Sequence, residues 1–220
     1  MEAGFLTPPG IHYVRNHGAC PRIEGAAHEV HITGAVARPT TLSMEQLRAM
    51  PTRTLPVTLV CAGNRRKEEN MVKQTIGFSW GPSGVGTSLW TGVPLRLLLA
   101  AAGVSRPSAA AQYVCFRGPV GELPKGSDGS YGTSIPLYMA LDPAADVLVA
   151  FEQNGAPLLP DHGAPVRLII PGWIGGRMVK WLTEICVTAA PSTNFYHFND
   201  NRILPPEART PRGRGHCARG

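Results

Sequence analysis

The run Leu59-Val-Cys-Ala-Gly-Asn-Arg-Arg-Lys-Glu-Glu69 decides how the rest of the chain is read. An apolar, strand-like stretch from Leu55 to Val60 delivers one cysteine, Cys61, to its end. A small-residue turn follows at once, then Arg65, Arg66 and Lys67. Thiolate is the form of cysteine that attacks electrophiles or binds soft metals, and nearby cations favour it. The same cations attract an oxyanion or a phosphate. Alone, the run reads equally as a buried strand-end cysteine beside a solvated basic loop.

Outward from Cys61, punctuation marks the elements. Residues 1–27 read as an irregular arm, with Pro8-Pro9-Gly10 and Asn16-His17-Gly18 as turns. Val30 to Gly34 predicts a strand, and Ser43 with Gln46 forms a capping box for a short helix ended by Pro51. Thr54 to Val60 and Tyr113 to Arg117 predict strands. Pro94 to Ala102 predicts a helix, with Pro at its first position and Gly103 just past its end. Pro136 to Leu141 predicts a helical turn. Val147 to Gln153 and Pro165 to Ile170 are β-branched apolar runs, and Asn154-Gly155 between them is a tight-turn signal. Trp181 to Ala189 predicts a last strand. Strands and helices do not alternate regularly, so the pattern predicts an α+β fold, a mixed β-sheet core with short helices. Residues 1–206 form one domain in this reading, and the Arg/Gly-rich residues 207–220 a disordered basic tail.

Composition narrows the function. The 220 residues carry a net charge of +6, which suits anionic ligands. The cations form no helical stripe, and no nucleic-acid-binding signature accompanies them. Five cysteines, scattered without a C-x-x-C pair or zinc spacing, fit a reducing compartment. No apolar run reaches membrane-spanning length and the amino terminus is not signal-like, so the expected location is the cytoplasm.

Four further segments carry polar chemistry. Pro165 to Trp181 runs from a strand into a Gly-rich turn with Arg167, Arg177 and Lys180, which suits an anion nest backed by cations. Asp161-His-Gly163 offers His162 as a ligand donor or as a histidine holding its own loop. Tyr13-Val-Arg-Asn-His17 crowds polar groups into the arm, and Asn199-Asp-Asn-Arg202 reads by itself as a solvated turn.

Together these segments resemble the molybdenum-cofactor domain of the sulfite oxidase family, specifically that of eukaryotic assimilatory nitrate reductase. The resemblance covers about Phe5 to Pro205. It rests on His12-Tyr-Val-Arg-Asn-His-Gly18, Val57-Thr-Leu-Val-Cys-Ala-Gly-Asn-Arg-Arg-Lys67, Tyr131-Gly-Thr-Ser-Ile135, Asp161-His-Gly163 and Pro171-Gly-Trp-Ile-Gly-Gly-Arg-Met-Val-Lys-Trp181. The stretch Lys67-Glu-Glu-Asn-Met-Val-Lys-Gln-Thr-Ile-Gly-Phe-Ser-Trp80 looks like nitrate reductase rather than sulfite oxidase.

The resemblance implies a sulfite-oxidase-type molybdopterin-binding fold, and oxygen-atom transfer reducing nitrate to nitrite. It makes Cys61 the single protein thiolate on molybdenum, the other ligands being the cofactor's dithiolene sulfurs and oxygen. It sets Tyr13, Val14, Arg15, Asn16 and His17 against the pterin and metal, with Arg15 reaching the substrate side. His162 and Arg167 match contacts to the pterin phosphate, and Met178, Val179 and Lys180 a strand closing over the cofactor. Glu122 stands near the family's acidic pterin contact. Arg66 and Trp80 match the substrate pocket, and Asn201 falls where sulfite oxidases tend to carry tyrosine. The family also has an immunoglobulin-like dimerisation domain, and full nitrate reductases have haem and flavin (FAD) domains that deliver electrons. None of these is found here, so the chain reads as an isolated domain or fragment. A sulfite oxidase-type enzyme and an inactive cofactor-binding fragment are the alternatives.

Overall fold

The computed structural model describes residues 4–75 and 77–200. Asn201 and the basic tail lie outside the described residues. Among the described residues ten strands form two five-stranded sheets, accompanied by five short α-helices. The α+β class is as the sequence predicts.

The first sheet has the order β2 (Thr40–Ser43), β1 (Glu29–Gly34), β10 (Glu184–Thr188), β5 (Tyr113–Arg117), β6 (Gly132–Pro136). β1 and β10 are parallel and the other pairs antiparallel. Alternation sets its inner face: Val30, Ile32, Val114, Phe116, Ile185 and Val187 are buried, while their neighbours along each strand are not. The second sheet has the order β3 (Arg53–Val60), β4 (Val85–Pro94), β7 (Leu148–Gln153), β8 (Ala156–Pro157), with β9 (Arg167–Ile169) also paired to β7. Both sheets contribute to one hydrophobic cluster, which includes Ile32, Phe116, Leu59, Trp90, Leu148 and Leu168.

Local chemistry explains the helices. Ser43 caps α1 (Met44–Ala49) with both capping-box bonds present, Gln46 N–H to Ser43 Oγ at 3.2 Å and Ser43 N–H to Gln46 Oε1 at 2.9 Å. α3 (Leu95–Ala101) begins after Pro94, and Gly103 follows it at φ +83°. α4 (Leu137–Leu141) likewise follows Pro136. Asn154 and Gly155, at φ +52° and +76°, make the tight turn between β7 and β8.

Three differences bear on the site. Val85–Pro94 is a ten-residue strand at the heart of the second sheet, and Gly132–Pro136 is an edge strand; neither carries a readable strand signal. The last strand begins at Glu184 rather than Trp181, because Trp181 takes φ +53° and interrupts the extended chain. Met178 to Lys180 therefore form no strand. They run as irregular chain, tied to β9 by the Leu168 N–H donating to the Val179 carbonyl at 2.8 Å.

Candidate active site

Cys61 stands one residue past β3, its N–H bonded to the Gly84 carbonyl at 2.8 Å. Sγ accepts from the Gly63 N–H at 3.4 Å. The chain then turns through α2 (Arg66–Glu69) and a loop returning to Gly84. That loop is braced internally. Asn70 Oδ1 accepts from the Thr75 N–H and hydroxyl at 2.9 Å each, and Nδ2 donates to Ser79 Oγ at 2.9 Å.

The brace presents Arg66. Its side chain is 6% exposed, packed against Gly63 and Gly77, and Nη1 donates to the Phe78 carbonyl at 3.3 Å. The Arg15 guanidinium stands 5.1 Å above the Phe78 ring. One phenylalanine thus gathers two arginines beside Cys61 on the wall of a single cavity of about 510 Å³, a size suited to a cofactor plus a small substrate.

The opposite wall comes from the Asp161 to Trp181 segment. Arg167, on β9, is 5% exposed and lies 5.0 Å over the Trp90 ring. It donates to the His162 carbonyl at 2.9 Å and the Met178 carbonyl at 3.4 Å, and its Nε is buried with no partner among the described residues. Burial lowers its pKa to about 10. Lys180 donates to Asn16 Oδ1 and, at 2.8 Å, to the Asp161 carbonyl. Burial, helped by the Arg167 cation, brings its pKa down to about 7.

The amino-terminal arm forms the third side. His162 Nε2 donates to the Pro9 carbonyl at 2.8 Å, so this histidine holds the arm while also lining the cavity. Burial lowers its pKa despite that bond. His12 is 4% exposed, stacked on Tyr13 with its Nδ1 donating to the Tyr13 carbonyl at 3.1 Å. Burial raises the Tyr13 phenol. His17 stacks on Tyr131 at 5.0 Å and tilts against Tyr196 at 4.7 Å; burial, then the Arg15 charge, drops its pKa to about 4.

The structure therefore brings Tyr13, Val14, Arg15, Asn16, His17, Cys61, Arg66, His162, Arg167, Met178 and Lys180 to one cavity. Three of the expected residues stand off it. Trp80 is edge-on to Tyr13 at 6.2 Å, behind the lining; Val179 is fully buried in the core; and Glu122 is exposed, its loop sending Leu123, Pro124 and Lys125 to the cavity instead. Asn201 lies outside the described residues. Arg177 also turns away from the lining, donating to Thr133 Oγ1 at 3.1 Å and bonded to His197 Nδ1 at 2.7 Å. Phe78, Lys125, Tyr131, Tyr196 and His12 are lining residues that sequence reasoning did not single out as site residues. His12, Phe78 and Tyr131 stand inside quoted stretches, whereas Lys125 and Tyr196 carried no signal.

Arg15, Arg66, Lys125, Arg167 and Lys180 face two lining carboxylates, Asp161 and Asp200. Among the described residues, no carboxylate forms a salt bridge with Arg15, Arg66, Arg167 or Lys180. Unpaired buried cations are costly, and an anion filling the cavity relieves them. Among the described residues no group of three or more His, Cys, Asp or Glu could hold a metal. Cys61 therefore stands outside any such cluster among the described residues and offers one sulfur ligand. The donor set fits molybdopterin: one thiol, an orphaned buried Arg167 Nε, and cations placed for a phosphate.

Comparison with known proteins agrees. The model of the family described as oxidoreductase molybdopterin binding domain matches residues 17–196. The chain is 62% identical over 205 residues to a nitrate reductase (NADH) of Volvox carteri, covering 93% of this chain and 24% of that protein. It is 54% identical over 206 residues to a nitrate reductase (NADH) of Ulva prolifera, covering 94% and 24%. An inducible nitrate reductase (NADH) of Glycine max is 56% identical over 206 residues, covering 93% and 23%. The chain thus spans about a quarter of the length of these relatives. The crystal structure of the sulfane dehydrogenase SoxCD from Paracoccus pantotrophus superposes with a TM-score of 0.78 at 27% identity, over 94% of this chain and 49% of that one. No helix of the described residues is long and apolar enough to cross a membrane.

Proposed function

The chain belongs to the family of oxidoreductase molybdopterin-binding domains, and from that premise we propose that it is a nitrate-reducing domain of the assimilatory type. The observation that carries the substrate assignment is the pair of guanidiniums, Arg15 and Arg66, gathered at Phe78 beside Cys61.

Cys61 would supply the protein thiolate to molybdenum. Arg167, Lys180 and the Tyr13 to His17 segment would hold the pterin and its phosphate. When bound, the cofactor supplies two-electron oxygen-atom transfer. Overall, nitrate, two electrons and two protons give nitrite and water.

The chain's own part is binding and electrostatics. Nitrate is a weakly basic planar monoanion, and Arg15 and Arg66 hold it by charge-assisted hydrogen bonds. Their positions are set before substrate arrives, by Phe78 and by the glycines around Arg66, so little reorganisation is needed as charge shifts. No general base is needed. Trp80 backs the pocket through Tyr13, and Asn201 remains our candidate for distinguishing nitrate from sulfite. In the same proposal a haem domain, fed by a flavin domain, delivers electrons, the domain works as a homodimer, and the location is cytoplasmic. Nucleic acid and membrane play no part.

The likeness to a sulfane dehydrogenase favours oxidation of a sulfur compound as the second reading, with sulfite as the substrate to try. The test is nitrite formation from nitrate by purified, metal-analysed protein with reduced viologen, beside sulfite oxidation with ferricyanide. Nitrite formation in wild type and its loss in Cys61→Ala is the expected result. Sulfite turnover alone moves the assignment to the second reading. Bound molybdenum with neither activity makes the chain a cofactor-binding unit.

A further inference from the structure

β5 and β10 are antiparallel neighbours, and their register puts Cys115 directly opposite Cys186. Opposed residues of an antiparallel pair send their side chains to the same face. The flanking residues identify that face. Val114, Phe116, Ile185 and Val187 point into the core, so both cysteines lie on the outer side, where each is half-buried and free.

The spacing suits a bond. Directly opposed residues have Cα atoms about 4.5 or 5.5 Å apart, depending on the hydrogen-bonding phase. A disulfide spans Cα separations of about 4.4–6.8 Å, so either phase is compatible. On the flanking strands Thr33 of β1 opposes Cys186 and Ser134 of β6 opposes Cys115, and the Cys186 Sγ lies on the β1 side, 2.9 Å from where a Cβ on Gly34 would stand. The Cys115 Sγ is hydrogen-bonded to Thr188 Oγ1 at 3.3 Å, so closing the bond takes a rotamer change at each cysteine.

We propose that Cys115 and Cys186 are a redox modification site, a dithiol that closes to a cross-strand disulfide by exchange with a small-molecule disulfide such as oxidised glutathione. One cysteine sulfur attacks the small disulfide, forming a mixed disulfide and displacing one small thiol. The second cysteine attacks the mixed disulfide and displaces the other. The protein loses two electrons and the small disulfide gains them, while the two cysteine protons end on the two released thiols. Burial raises the Cys115 thiol pKa, so exchange through it speeds up with pH.

The bond staples two strands that lead to different walls of the cavity. β5 runs out into the loop carrying Leu123 and Lys125, and β10 follows Lys180 and Trp181. The site does not depend on the nitrate assignment.

The test oxidises the full chain with oxidised glutathione, alkylates the remaining thiols, digests without reduction and maps the peptides by mass. The expected result is a Cys115 peptide joined to a Cys186 peptide, with two fewer alkylated thiols, all reversed by dithiothreitol. Cys115→Ser is expected to leave Cys186 carrying glutathione. Full alkylation of both cysteines after oxidation overturns the proposal. So does glutathione on each without a cross-link, or a bond from either to Cys20 or Cys61. The wild-type map decides alone if the serine variant does not fold.

Discussion

Lys180 is tied to Asn16: its ammonium donates to the asparagine's side-chain oxygen, joining the segment after the Gly-rich turn to the amino-terminal arm. Burial and the Arg167 cation lower its pKa to about 7, against about 10.4 for an ordinary lysine. Between these values the unfolded chain holds a proton that the cofactor-free folded chain has shed, so this group makes stability rise with pH there. Lys180→Met removes that contribution. The stability of the variant relative to wild type, from urea midpoints without cofactor, is expected to fall as pH rises from about 7 to about 10. A difference independent of pH would mean that Lys180 keeps its ordinary pKa.

Arg66 owes its place to glycines. A Cβ on Gly63 would stand 2.7 Å from Nη1, and one on Gly77 would overlap the guanidinium itself. In Gly77→Ala the flexible guanidinium end yields, so stability should change by under about 1 kcal/mol. The anion contact should not survive. Losing a charge-assisted hydrogen bond of about 1.5–3 kcal/mol lowers kcat/KM for nitrate roughly tenfold to a hundredfold. Turnover equal to wild type would show that Arg66 is not needed where it stands.

Cys61 was legible because an apolar run, a small-residue turn and clustered cations are all local signals. The Ser43 cap and the Asn154-Gly155 turn were legible for the same reason. Val85–Pro94 was not, since its glycines look like breakers yet are demanded by tertiary neighbours: a Cβ on Gly86 would meet the His12 ring at 2.6 Å. Phe78 lies in the quoted Lys67 to Trp80 stretch, but its own role did not show: it is 64% exposed, and it matters because Arg15 and Arg66 arrive from elsewhere. Gly175 reads as part of an anion nest, whereas the structure uses it for a close approach, with a Cβ there 2.6 Å from the Tyr13 hydroxyl. Arg177, one of the turn's cations, serves Thr133 and His197 instead of the cavity. Residue type was readable along the chain, and side-chain direction was not.

His17 gives the cofactor-free chain an acid-sensitive component. Its folded pKa of about 4 lies below the unfolded value of about 6.5. Its contribution is therefore complete above about pH 6.5 and is lost as pH falls toward about 4, where the unfolded chain takes up a proton the folded chain refuses. His17→Phe keeps a ring against Tyr131 and Tyr196 and removes the titration. The thermal midpoint of the variant should fall less steeply with acid over that window. Some decline persists, because burial also lowers the pKa of His12, His28 and His162. Identical acid limbs for variant and wild type would place the sensitivity in those other histidines.

Gly163 separates backbone strain from side-chain crowding. It sits at φ +106° after the short turn Pro160–His162, and a Cβ there would lie 3.0 Å from Lys180 Cβ and 3.1 Å from Arg167 Cβ. Gly155 has φ +76° with nothing within 4 Å of its Cβ position. Alanine at Gly155 meets only the left-handed backbone penalty, about 1–2 kcal/mol. Alanine at Gly163 meets a comparable penalty and also presses on the stems of two buried cations, which are held by main-chain bonds and cannot retreat cheaply. Urea midpoints should put Gly163→Ala below Gly155→Ala by about 1 kcal/mol or more. If the two lose equal stability, the loop yields freely, and Arg167 and Lys180 are not clamped by the turn beneath them.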